Sequence, residues 1–89
     1  MNSQSPARPV SRELILYGTL GCHLCELAEA VLLPCVAQGW QVELVDIAED
    51  DALFERFSTR IPVLLHPVSG GELAWPFDDF ALLRFLEQT

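Results

Sequence analysis

Apolar and polar residues follow two rhythms along this chain, and the switches between them mark its elements. Glu13 to Tyr17 is a short apolar run bounded by Gly18, which reads as a buried strand. From Leu24 the apolar residues fall at Leu24, Leu27, Ala28, Val31, Leu32 and Cys35, the spacing of one helical face. Pro34 cannot donate to the carbonyl of Ala30, so this helix is expected to kink or end there, and Gly39 stops any continuation. Val42, Leu44 and Val45 belong to a second strand that ends at Asp46. The acidic run Glu49-Asp50-Asp51 suits the positive end of a short helix that turns Leu53, Phe54 and Phe57 inward. Ile61 to Leu65 reads as a third strand with Pro62 near its start. Pro67 to Gly71 supplies a loop, and Glu72 to Trp75 is the hairpin partner. Asp78 is placed to cap a last helix that buries Phe80, Leu83 and Leu86.

The expected order is β-α-β-α-β-β-α. A strand, a crossover helix and a second strand favour a parallel pair, whereas the short Gly70-Gly71 loop favours an antiparallel one. The fold class is therefore α/β, a mixed four-stranded sheet with helices packed on it. A chain of 89 residues, 51% of them hydrophobic, makes one domain. Residues 13–89 are expected to form it. Residues 1–12, rich in Ser and Pro and lacking the apolar stretch of a secretory signal, read as a flexible tail.

Charge narrows the partners. The chain has no lysine, five arginines and a formal net charge of -8. Nucleic acids and anionic membrane surfaces need a basic stripe that is missing here. No apolar stretch is long enough to span a bilayer. Three cysteines are an odd number and too few for a secreted disulfide scaffold, so catalysis or metal binding in the cytoplasm is the expectation.

The chemistry concentrates at Cys22-His23-Leu24-Cys25, which follows the first strand and the turn Gly18-Thr19-Leu20-Gly21. Two thiols three residues apart at the mouth of a helix can close a disulfide and reopen it. The first lies where unpaired backbone N–H groups and the helix dipole favour negative charge. An unperturbed thiol is only ~3% thiolate at pH 7, so this stabilisation decides whether it reacts. Glu26, on the same helix face as Cys22, opposes it, and His23 offsets Glu26 when protonated. Glu26 has two other readings, a proton acceptor for Cys25 or a solvated helix residue beside Glu29. A cis bond at Ile61-Pro62 would turn the Ile61 backbone outward to pair with an extended substrate. The other reading is a trans proline opening an edge strand. Arg60 either meets an acidic or carboxylate-bearing substrate or is a solvated loop residue. Cys35, on the apolar helix face, reads as a buried, inert thiol.

The element order, the Cys-x-x-Cys at the first strand–helix junction and Ile61-Pro62 at the third strand together resemble the thioredoxin fold. The stretch Leu16-Tyr17-Gly18-Thr19-Leu20-Gly21-Cys22-His23-Leu24-Cys25 is most similar to glutaredoxins, in particular the small glutaredoxin-like proteins of bacteria, over about residues 13 to 87. The resemblance implies a thiol–disulfide oxidoreductase with Cys22 as nucleophile, Cys25 as resolving cysteine and Pro62 as the cis-proline beside them. It implies that Thr19 and Asp78 stand at glutathione-binding positions. Many glutaredoxins carry lysine where Thr19 stands, and a Gly-Gly pair near Trp75-Pro76-Phe77. The expected substrates are protein or glutathione mixed disulfides, contacted by Thr19, His23, Arg60, Ile61, Pro62 and Asp78. No bound cofactor or metal is expected, glutathione is a candidate cosubstrate, and the chain is expected to be a monomer. The alternatives are an iron–sulfur carrier or binding module on the same fold, and a zinc site that would have to draw on Cys35, His23 or His66.

Overall fold

Successive side chains of a strand point to opposite faces, and here that alternation sorts the core into two layers. β1 (Glu13–Gly18) sends Leu14 and Leu16 to one side, and Ile15 and Tyr17 to the other. The chain's structure is a computed structural model that describes residues 12–88. The tail expected over residues 1–12 lies outside them apart from Arg12, as does Thr89. Arg12 is tied to the start of the domain, its carbonyl accepting from Gln41 N–H at 2.8 Å.

After β1 come α1 (His23–Ala37), β2 (Gln41–Asp46), a single 3₁₀ turn (Ile47–Glu49) and α2 (Asp51–Phe57). β3 (Val63–His66), β4 (Gly71–Ala74) and α3 (Asp79–Glu87) complete the order. The sheet runs β2-β1-β3-β4, with β1 parallel to β2 and antiparallel to β3, and β3 antiparallel to β4. This is the mixed α/β architecture expected, of thioredoxin-like type. Leu14, Leu16 and Leu64 pack with Ala28, Leu32, Leu82 and Phe85 of α1 and α3. Tyr17 and Val63 pack on the opposite face with Ile47 and Phe57, and the Tyr17 and Phe57 rings stack 4.5 Å apart. No helix among the described residues is long and apolar enough to cross a membrane.

Carboxylates start α2 and α3. Asp50 accepts from Leu53 N–H at 3.1 Å and Asp78 from Ala81 N–H at 2.8 Å.

The helix faces depart from the expected phase. α1 buries Cys25, Ala28, Leu32 and Cys35, while Leu24 and Leu27 are 44% and 41% exposed. α3 buries Leu82 and Phe85 and leaves Phe80 and Leu83 outside, and α2 buries Phe57 but exposes Phe54. Each of these helices carries apolar residues around most of its circumference, so the side that faces the sheet is chosen by the connections. α1 also runs through Pro34 to Ala37. The carbonyl that loses its donor belongs to Ala30, which is exposed, so water can satisfy it. β3 starts at Val63, so Ile61 and Pro62, expected inside the strand, lie before it, and the bond between them is cis. His66 is its buried last residue, and its Nδ1 accepts from Ser69 N–H at 3.1 Å, holding the hairpin loop.

Candidate dithiol active site

The parallel strands β1 and β2 end at the same edge of the sheet, and the two cysteines sit there. Gly21, with a φ of +75° that favours glycine, turns the chain back toward α1. Cys22 is the N-cap of α1, with an extended backbone and its carbonyl accepting from Glu26 N–H at 3.2 Å. Its sulfur accepts from Cys25 N–H at 3.2 Å, the place a capping oxygen takes in most helices. The same sulfur is bonded to Cys25 Sγ, with the two Cα atoms 5.2 Å apart, inside the usual range for a disulfide. Cys22 is half-buried and Cys25 only 5% exposed, so the first sulfur is the more accessible.

Gly18 is why Cys25 can sit so deep. A Cβ added there would lie 2.7 Å from Cys25 Sγ, so the close approach of strand and sulfur requires glycine. Gly18 pairs with Asp46 of β2. Continuing the Tyr17–Val63 register by one step brings Pro62 opposite Gly18, and Pro62 O accepts from Trp75 N–H at 3.0 Å. Asp46, Gly18, Pro62 and Trp75 thus form one row across the sheet beneath the dithiol. The Ile61–Pro62 bond is cis, and so is Trp75–Pro76. Trp75 and Phe77 meet edge to face at 5.0 Å, with Phe77 only 5% exposed, so aromatic side chains fill this corner.

The residues expected to contact substrate divide into two groups. Thr19 lines a hollow with Cys25, His23 is exposed on the first turn of α1, and Ile61 and Pro62 lie just before β3. Arg60 is instead held by Glu72 of β4, its Nη2 donating to Oε1 at 2.7 Å, and Asp78 is occupied at the start of α3. Arg56 binds the other Glu72 oxygen, and both guanidiniums lie over the Phe57 ring. Sequence reasoning passed over Gly18 and Asp46. An isolated glycine at a strand end next to a cysteine motif was the available signal for the first, and the second has none outside the register.

The Arg60 hydrogen bond, with Arg56 beside it, holds the Glu72 carboxyl below the usual carboxylate range. A carboxyl acid strengthened by folding adds stability above its unfolded pKa, and that stability is lost as pH falls through the folded value. Both arginines are largely exposed, so Glu72→Gln is expected to cost about 1 kcal/mol at pH 7. That difference is expected to shrink below about pH 4. Urea midpoints of the two proteins across this range are the check.

Cys35 is free and buried, and burial followed by the Asp79 charge raises its thiol pKa. It lies ten residues beyond Cys25, about 15 Å along the helix, too far for direct exchange. Among the described residues no group of three or more His, Cys, Asp or Glu side chains could hold a metal ion.

Comparison with known proteins agrees with this geometry. The family model of the glutaredoxin-like domain (DUF836) matches residues 13–87. The X-ray structure of target protein XcR50 from X. campestris is 38% identical, with a TM-score of 0.75 over 85% of this chain and 97% of that one. The solution structure of protein Ne2328 from Nitrosomonas europaea is 30% identical, with a TM-score of 0.70 over 96% of this chain and 98% of that one. No curated protein matches. With its sheet order, its Cys22–Cys25 pair and this match along nearly the whole domain, the chain belongs to the glutaredoxin-like domain (DUF836) family.

Proposed function

We propose that the chain is a cytoplasmic thiol–disulfide oxidoreductase that reduces or exchanges disulfides through Cys22 and Cys25. The observation that carries this reading is the Cys22 sulfur, which caps α1 and is bonded to Cys25 Sγ. In the reduced protein a Cys22 thiolate at this position keeps the Cys25 N–H and the positive end of α1 as its stabilisers.

The cycle follows from that asymmetry. The Cys22 thiolate attacks one sulfur of a substrate disulfide, forming a Cys22–substrate bond and releasing the other sulfur as a thiolate that takes a proton. Cys25, deprotonated, attacks Cys22 Sγ and releases the second substrate sulfur. Two electrons pass to the substrate, two protons follow, and the Cys22–Cys25 disulfide remains. A thiol or dithiol reductant, glutathione among them, resets the pair by the reverse exchange. The cycle uses no bound cofactor, and one chain suffices for it.

Protein disulfides suit the site better than glutathione. Thr19 carries no charge, Glu72 already occupies Arg60, and Trp75, Pro76 and Phe77 stand where an open backbone would grip a γ-glutamyl group. The test replaces the cysteines one at a time by serine: Cys22→Ser is expected to abolish exchange and Cys25→Ser to trap a mixed disulfide. Full exchange by the Cys22→Ser protein would overturn the proposal.

A further inference from the structure

Two hollows meet along the seam between α1 and the edge strand β2. One, of about 190 Å³, opens beside Cys25 and is lined by Gly18, Thr19, Leu20 and Asp46. The other, of about 160 Å³, continues it away from the dithiol past Leu33, Val36 and Val42. Glu29 and Leu44 line both, so the two make one groove. Leu20, Leu33, Val36 and Leu44 are all exposed along it. Exposed apolar side chains that follow one another in a groove, rather than scatter, mark an interaction surface.

The rim has one sign of charge. Glu29 stands one helical turn beyond Cys25, and Asp46 is fixed at the end of β2 by accepting from Ala48 N–H at 2.9 Å. Both ion pairs among the described residues go to Glu72, so neither of these two carboxylates is paired with a described arginine. Among the described residues no arginine lines either hollow. Arg12 lies over Trp40, and Arg84 over Phe80 of α3. A second copy of this chain would bring a net charge of -8 to the same acidic rim, which opposes self-association.

We infer that this groove receives the segment flanking the disulfide of a partner protein, a stretch with apolar side chains beside lysine or arginine. The inference rests on the dithiol reading above and names its substrate class. The apolar side chains would cover Leu44 and Leu33, and the cations would meet Glu29 and Asp46 at the mouth, delivering the partner's disulfide to the dithiol. Charge complementarity of this kind selects partners and speeds encounter.

Two cysteine-free peptides with the same leucines and phenylalanine, one flanked by lysine and one by glutamate, test it on the full chain. Binding is read from backbone amide shifts. The lysine peptide is expected to bind about tenfold more tightly, as two modest charge contacts imply. Its shifts should centre on Leu33 and Leu44, and its affinity should fall with added salt. Glu29→Gln with Asp46→Asn should remove most of the preference, and the asparagine retains an oxygen for the Ala48 cap. Equal binding of the two peptides, binding of neither, shifts centred elsewhere, or a dimer formed through Leu44 would each overturn the inference. Because the peptides contain no thiol, this result is independent of whether the cysteines exchange.

Discussion

Replacing Cys22 with serine should reduce disulfide exchange to background, a loss on the order of a thousandfold or more, as when any catalytic nucleophile is removed. A serine hydroxyl at the same N-cap would still accept the Cys25 N–H, so α1 and the fold should survive. The loss is therefore chemical, not structural. Replacing Cys25 has a different signature. Cys22 can still attack, but nothing inside the protein completes the cycle, so a Cys22–substrate disulfide accumulates and is seen as a mass adduct. Cys35 cannot substitute for Cys25, being buried, held as a thiol and separated along α1. Equal activity of the two serine variants would contradict the division of roles between an accessible first sulfur and an enclosed second one.

Gly18→Ala should be the most damaging single-methyl change at the site. The new Cβ would sit 2.7 Å from Cys25 Sγ and 3.3 Å from Cys25 Cβ, closer than such atoms pack. Either the strand or the cysteine has to move. Overpacking of this kind costs about 1–3 kcal/mol. Part of that cost falls on stability and part on the position of the resolving sulfur. Closure of the Cys22–Cys25 disulfide is therefore expected to slow about tenfold, the equivalent of about 1.4 kcal/mol. The mixed disulfide should live longer without the complete arrest of Cys25→Ser. Gly70→Ala offers a contrast, since that glycine is remote from the dithiol and a Cβ there meets nothing within 4 Å. Any loss at Gly70 should come from its positive φ and appear in stability alone. Stopped exchange kinetics with denaturant curves on both variants separates the two effects.

How much of this was legible in the sequence follows from the kind of signal each feature leaves. The dithiol was readable because a Cys-x-x-Cys beside a short apolar strand has few other uses, and the element order followed from switches of period and from Pro and Gly. The cap at Asp78 was readable for the same local reason. What failed was phase. Leu24, Leu27, Leu33 and Val36 make α1 apolar on several sides, so the periodicity found Ala28, Leu32 and Cys35 but could not say that Cys25 joins them while Leu24 and Leu27 stay outside. Of the exposed apolar residues of α1, Leu33 and Val36 line the groove beside β2, whereas Leu24 and Leu27, expected in the core, do not. Gly18, Asp46 and Pro62 become neighbours only through strand register, and Arg60, in the turn after α2, meets Glu72 of β4 only in the folded chain. Local pattern carries no information about those pairings.

The claim on which all of this depends is that Cys22 and Cys25 form a reversible disulfide with each other. A titration of the full chain through glutathione buffers of graded potential, with alkylation and mass detection, measures it directly. The expected result is one two-electron transition, about 30 mV per tenfold change, with loss of two hydrogens from the Cys22–Cys25 segment and Cys35 still a thiol. Cysteines 22 and 25 that stay free across the whole series, or a bond that recruits Cys35 instead, would contradict it.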